Sequence, residues 1–192
     1  MGSLVLILGG ARSGKSTMAE KLALAAGGQV TYVATAEPRD DEMRWRIEHH
    51  RAARPAGWRT VEEPLDLVTA VERAAAESDV VLVDCLTLWL SNHLCLCDAP
   101  ESSEEWAAAE RALADNLERW TTSLVETARC HEVTLLLVSN EVGLGLVPAN
   151  ALGRIYRDLL GLVNRRLAAE ADRVLLMVAG LPLDVKRMAE LG

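Results

Sequence analysis

A doubly wound α/β fold with a mostly parallel sheet is what this sequence predicts, and three observations carry that expectation. Short Val- and Leu-rich runs alternate with longer stretches of helical periodicity along the 192 residues. Several of those runs are apolar almost without a break, the pattern of strands covered on both faces of a parallel sheet. The first run feeds a glycine turn that opens a helix, a unit that sets ligand sites at the carboxyl edge of such a sheet. The length suits one domain with a substantial core and is short for two, so residues 1–192 are read as a single domain.

Taken in order, strands are expected over residues 4–8, 30–34, 59–62, 80–84, 133–139 and 173–178. Helices are expected over 16–26, 41–53, 65–77, 87–96, 104–130 and 151–171. Ser102 followed by Glu105 reads as a capping box opening the longest helix. The stretch 97–103 is the expected mobile loop. No internal repeat or interdomain linker is visible.

Half of the residues are hydrophobic and the net charge is −8. The chain is therefore globular rather than disordered, and it lacks the basic face that a nucleic-acid binder needs. A nucleotide pocket needs only a few local cations, so it stays open. Cys85, Cys95, Cys97 and Cys130 follow no regular framework. Cys95-Leu96-Cys97 would be half of a metal site with no second pair to complete it, so reduced, buried thiols are expected. No stretch approaches the ~20 apolar residues of a membrane span. The first apolar run is short and has no cationic stretch before it, so no signal peptide is read and a cytoplasmic location is expected.

Residues Gly9, Gly10, Ala11, Arg12, Ser13, Gly14, Lys15 and Ser16 form a complete G-x-x-x-x-G-K-S phosphate loop. Gly9 and Gly14 permit torsions and close approaches that a side chain forbids. The following helix offers unpaired N–H groups and its positive dipole end to an anion. Lys15 is placed to reach β- and γ-phosphates, and the Ser16 hydroxyl to sit on Mg²⁺. A second Mg²⁺ handle should be an acidic residue ending another buried strand, and Asp84 is that residue, unless it only caps the next helix.

The segment 40–55 has an acidic start and a proline end, as a helix should. Met43, Ile47 and His50 fall at i, i+4 and i+7, so His50 extends the apolar stripe, whereas His49 is turned about 100° away from it, beside Trp45 and Arg46. Two histidines among four arginines suit negatively charged groups; a solvated helix face is the other reading. The stretch 140–148 follows a strand at the same carboxyl edge. Asn140 and Glu141 either contact substrate or metal there or belong to a long connection. Arg154, Arg157, Arg165 and Arg166 read as solvated or snorkelling side chains.

Several pieces together resemble one family. They are the phosphate loop, Tyr32-Val33-Ala34-Thr35-Ala36, and Asp41-Glu42-Met43 leading into Arg46-Ile47-Glu48-His49-His50. Arg54-Pro55 with Trp58-Arg59-Thr60, Asn140-Glu141-Val142-Gly143 and Val147-Pro148 follow in the same order. The chain resembles, over nearly its full length, the bifunctional adenosylcobinamide kinase / adenosylcobinamide-phosphate guanylyltransferases of cobalamin assembly.

The resemblance implies two reactions. ATP or GTP phosphorylates the aminopropanol hydroxyl of adenosylcobinamide, and the resulting phosphate then takes GMP from a guanylylated histidine, giving adenosyl-GDP-cobinamide. It implies His49 as that histidine. It places nucleotide contacts on residues 9–16, on Ala34, Thr35 and Ala36, on His50, Arg51, Ala52 and Ala53, on Glu62 and on Asp84. Many relatives carry Glu where this chain has Asp84, which shortens the reach but keeps the charge. The resemblance also implies a homo-oligomer, a trimer. A neutral imidazole attacking the α-phosphorus splits one difficult transfer into two easier ones. Arginines such as Arg46 and Arg51 would offset charge on the phosphoryl oxygens. Two other readings stay open on the residues alone: a plain small-molecule or nucleotide kinase without a covalent GMP intermediate, and a nucleotide-switched binding module.

Overall fold

The computed structural model describes residues 2–96 and 102–189. Within them the chain runs β1 (Ser3–Gly9), α1 (Lys15–Ala26), β2 (Val30–Ala34), α2 (Asp41–Ala53), β3 (Arg59–Glu62), α3 (Leu67–Ala75) and β4 (Val80–Asp84). It continues through α4 (Leu86–Cys95), α5 (Ser103–Cys130), β5 (Thr134–Val138), α6 (Ala151–Glu170), β6 (Arg173–Val178), β7 (Leu181–Asp184) and α7 (Val185–Ala189). The strands form one sheet in the order β3-β2-β4-β5-β1-β6-β7. Every pairing is parallel except β6 with β7.

The alternation within each strand sorts its side chains between two layers. Leu4 and Leu6 of β1, Val81 and Val83 of β4 and Leu135 and Leu137 of β5 join the larger core, filled from α3, α4, α5 and α6. Their neighbours Val5, Ile7, Val80, Leu82, Leu136 and Val138 face the other way, onto Ala19 and Ala23 of α1. Burial on both faces explains why these strands read as continuous apolar runs. The six expected strands and six expected helices are all present, with ends shifted by no more than two residues.

Two elements were not expected. The chain turns back after β6 through Ala179 and Gly180, both at positive φ (50° and 84°), and adds β7 antiparallel to the sheet edge; the short α7 follows. Such a two-residue turn with both φ positive matches the twist of the strands it joins. Pro182 sits in this edge strand, where a missing N–H costs no ladder bond. The N-cap half of the expected capping box is present at Ser102, whose Oγ accepts the Glu105 N–H at 3.2 Å. Most of the expected mobile loop, with Cys97, lies outside the described residues. No helix among the described residues is long and apolar enough to cross a membrane.

Candidate active site

The carboxyl edge of the sheet is where the functional side chains gather. β1 ends at Gly9, which fits only because it lacks a side chain: an added Cβ would lie 2.6 Å from Ser13 Oγ and 2.7 Å from the Met177 carbonyl. Gly14 caps α1 at φ 95°, a left-handed conformation that glycine adopts without strain. The caps then differ in a telling way. Asp40, Asp66, Ser102 and Asn150 close the starts of α2, α3, α5 and α6 with side-chain hydrogen bonds, whereas α1 and α4 have no side-chain cap, and of these two only α1 follows the glycine loop. Its first N–H groups are left for an anion. Lys15 is buried at 8% exposure, and its Nζ donates to the Gly10 carbonyl at 2.6 Å. Burial lowers its pKa, and the nearby Cys85 and Asp84 act in the opposite sense. From the far side, the Gly180 N–H donates to the Ser13 carbonyl at 3.0 Å, so the unexpected hairpin braces the phosphate loop.

Next to the loop lies a cleft of about 270 Å³, whose lining includes Ser16, Tyr32, Ala34, Ala36, Arg46, His50, Arg54, Asp84 and Asn140. Its floor is locked by one threonine. Thr35 is fully buried; its Oγ1 donates to the Cys85 carbonyl at 2.7 Å and accepts the Cys85 N–H at 2.8 Å. The ends of β2 and β4 are thereby fixed together, and with them Asp84. The Tyr32 hydroxyl donates to Asp84 Oδ2 at 2.8 Å, and the Arg54 guanidinium stacks on the Tyr32 ring, 3.7 Å from its centroid. Burial, then the Asp84 charge, raises the pKa of Glu20, while His50 and Arg54 pull it down. All four groups therefore share one electrostatic neighbourhood. Asn140 is held at both backbone ends: its N–H donates to Thr87 Oγ1 at 2.8 Å and its carbonyl accepts from Asn164 at 3.0 Å.

The helix α2 occupies the residues the sequence assigned to it, but its stripe faces something different. Met43, Ile47 and His50 line the cleft rather than a packed core. His49 points off that stripe as expected, and this takes it away from the cleft: its ring stacks on Trp45 at a centroid distance of 4.7 Å, and Trp45 is 60% exposed. Of the two imidazoles, His50 is therefore the one that lines the cleft.

Other expected contacts divide in the same way. Ser16, Ala34, Ala36, His50 and Asp84 come together. The Thr35 side chain lies beneath the cleft and serves as its fastener. Arg51 and Glu62 pair with each other at 3.3 Å on the exposed flank of α2, and Ala52 is exposed beside them. Glu20 and the bond from Tyr32 to Asp84 were missed. Glu20 sits four residues after Ser16 on the same helix face, a signal that could have found it.

A metal would find one hydroxyl and one carboxylate here, Ser16 and Asp84. Among the described residues no group of three His, Cys, Asp or Glu side chains is placed to hold an ion unaided. That donor set suits a cation held chiefly by substrate phosphates and water, as Mg²⁺ is, and not a protein-caged zinc.

Residues 5–185 match the family model described as cobinamide kinase / cobinamide phosphate guanyltransferase. The chain is 46% identical over 181 residues to the bifunctional adenosylcobalamin biosynthesis protein CobP of Pseudomonas aeruginosa, covering 94% of this chain and 96% of that protein. It is 43% identical over 185 residues to the bifunctional adenosylcobalamin biosynthesis protein CobU of Salmonella typhimurium, covering 95% and 99%. Among solved structures, the RadB recombinase superposes with a TM-score of 0.48 at 18% identity, over 91% of this chain and 74% of its own.

Proposed function

The chain belongs to the cobinamide kinase / cobinamide phosphate guanyltransferase family, and from that premise we propose that one cleft serves both reactions, with His50 as the residue that carries GMP. The observation that carries this reading is that His50, Ser16 and Asp84 line the same cleft. In the kinase step ATP or GTP lays its phosphates along the turn from Gly9 to Ser16, where Lys15 and the open N–H groups of α1 hold the charge. The hydroxyl of adenosylcobinamide attacks the γ-phosphorus, and the bond to the β-phosphate oxygen breaks. Positioning and electrostatics suffice for this step, so no strong base is required. Ser16 and Asp84 would hold Mg²⁺, which when bound neutralises the phosphate charge.

In the guanylyl step the neutral imidazole of His50 attacks the α-phosphorus of GTP. A P–N bond forms, the α–β bridge breaks, and pyrophosphate leaves. A phosphate oxygen of adenosylcobinamide phosphate then attacks the same phosphorus, breaking the P–N bond and freeing the imidazole. Arg46, on the cleft wall, offsets charge on the phosphoryl oxygens as they pass through the transition state.

Two further readings complete the proposal. Exposed Leu181, Leu183, Val185 and Met188 near the sheet edge support a homo-oligomer, a trimer by family resemblance, which its mass in solution would test. Cys85, Cys95 and Cys130 are free thiols, but not buried as expected: Cys95 and Cys130 are exposed and Cys85 is half-buried; free thiols suit the reducing cytoplasm. The test of the chemistry is incubation with GTP labelled at the α- or the γ-phosphate. The α-label should become protein-bound, acid-labile and alkali-stable, and the γ-label should pass to adenosylcobinamide without staying on the protein. Absence of a protein-bound α-label would reduce the enzyme to a plain kinase.

A further inference from the structure

We propose that Tyr32 is a positioning residue joining the two ends of the cleft: its hydroxyl aims the Asp84 carboxylate, and its ring seats the arginine that ends α2. The inference rests on the reading of Asp84 as the metal-side carboxylate. Tyr32 lies in the middle of β2 at 3% exposure and pairs with Leu82 of β4. Asp84 is therefore its diagonal neighbour on the same face of the sheet, within reach of a long ring. The phenol takes Asp84 Oδ2 at 2.8 Å and leaves the other carboxylate oxygen to the cleft.

The ring does separate work. Arg54 is the C-cap of α2, and its guanidinium lies flat on Tyr32 at 3.7 Å. Its other side-chain bond is a long one to Thr60 Oγ1 at 3.3 Å, and its Nε is buried without a partner. The ring face is thus the main anchor for the end of the helix that carries His50. One side chain sets the angle of the carboxylate at the phosphate end and the seat of the helix at the imidazole end.

Two substitutions separate the hydroxyl from the ring. Tyr32→Phe keeps the stack and removes the bond. It should raise the half-saturating Mg²⁺ for phosphoryl transfer about 10-fold, the scale of one hydrogen bond to a charged group, with kcat at saturating Mg²⁺ little changed and GMP-adduct formation near the wild-type rate. Tyr32→Leu removes both and should also slow adduct formation about 10-fold at saturating Mg²⁺. An unchanged or lowered Mg²⁺ midpoint in Tyr32→Phe, or equal adduct rates in the Phe and Leu variants, would overturn the proposal. Asp84→Asn distinguishes the two layers of the argument. A raised midpoint there with none in Tyr32→Phe defeats the tyrosine's role alone, whereas an unmoved midpoint in Asp84→Asn defeats the metal reading beneath it. If the Leu variant fails to fold, Arg54→Lys replaces it: it keeps the charge without the flat stack and should slow the adduct without moving the Mg²⁺ midpoint.

Discussion

The phosphate loop and the helix α2 face each other across one cleft and are built on opposite principles. β1 is paired on both sides, with β5 and with β6, and Leu4, Leu6 and Ile7 are fully buried. α1 is seated by Ala19 and Ala23, and the loop between them is braced by the hairpin turn. None of the described side chains of α2 is buried; Met43 and Ile47 come nearest. Its anchors are the stack of Arg54 on Tyr32 and polar contacts along an exposed flank. The group that must recognise an anion in one fixed geometry is set into the core. In the proposed mechanism the group that meets two successive partners, the α-phosphorus of GTP and then a corrinoid phosphate, rides on the weakly anchored element, where local motion costs little.

Breaking the rigid side should give the largest effect. Lys15→Ala should lower both activities about 10²–10³-fold, the loss expected for one preorganised electrostatic donor. Steady-state assays of each step check this, and survival of adduct formation would mean that the two reactions do not share a phosphate site. Stability should separate the regions next. Gly14→Ala forces a side chain onto a φ of 95° and should cost about 1–3 kcal/mol. Glu48→Ala, on the exposed face of α2, should stay within about 0.5 kcal/mol. Urea titration of both variants sharpens or erases the contrast.

A smaller effect is expected where the soft side is tethered. Arg54→Ala removes a cation–π contact of about 1 kcal/mol and should slow GMP-adduct formation roughly 5-fold, while γ-phosphoryl transfer changes less. Equal losses in both steps would show that α2 is not a separately held element. The smallest effect lies outside the cleft. His93 stacks on Trp120 at 4.6 Å, and burial lowers its pKa below the ordinary 6.5. The unfolded chain therefore binds the proton more tightly than the native state does. The stabilisation from this group is complete above pH 6.5 and is lost as pH falls through the lowered native value. Melting curves between pH 7.5 and 5 should fall less steeply for His93→Gln than for the wild type.

How much of this was legible in the sequence follows the same division. The strand–loop–helix unit was readable because its pattern is continuous along the chain, and α2 begins and ends where its acidic start and Arg54-Pro55 placed it. The hairpin was not. β7 is four residues long, three of them exposed and one a proline, so it carries no alternation, and its turn uses Ala179 at a positive φ. Helical periodicity correctly grouped Met43, Ile47 and His50, but a period cannot say whether a stripe meets the core or a cleft, and so cannot say which of His49 and His50 lies beside that cleft. The Tyr32–Asp84 bond depends on β2 lying beside β4, a fact of sheet order that a sequence separation of 52 conceals.

The most direct test of the central claim, that the imidazole beside the phosphate loop belongs to His50, is intact-protein mass spectrometry after exposure to GTP. Wild type and His49→Ala should both gain one GMP, and His50→Ala should gain none. Loss of the adduct in His49→Ala with its retention in His50→Ala would contradict the account.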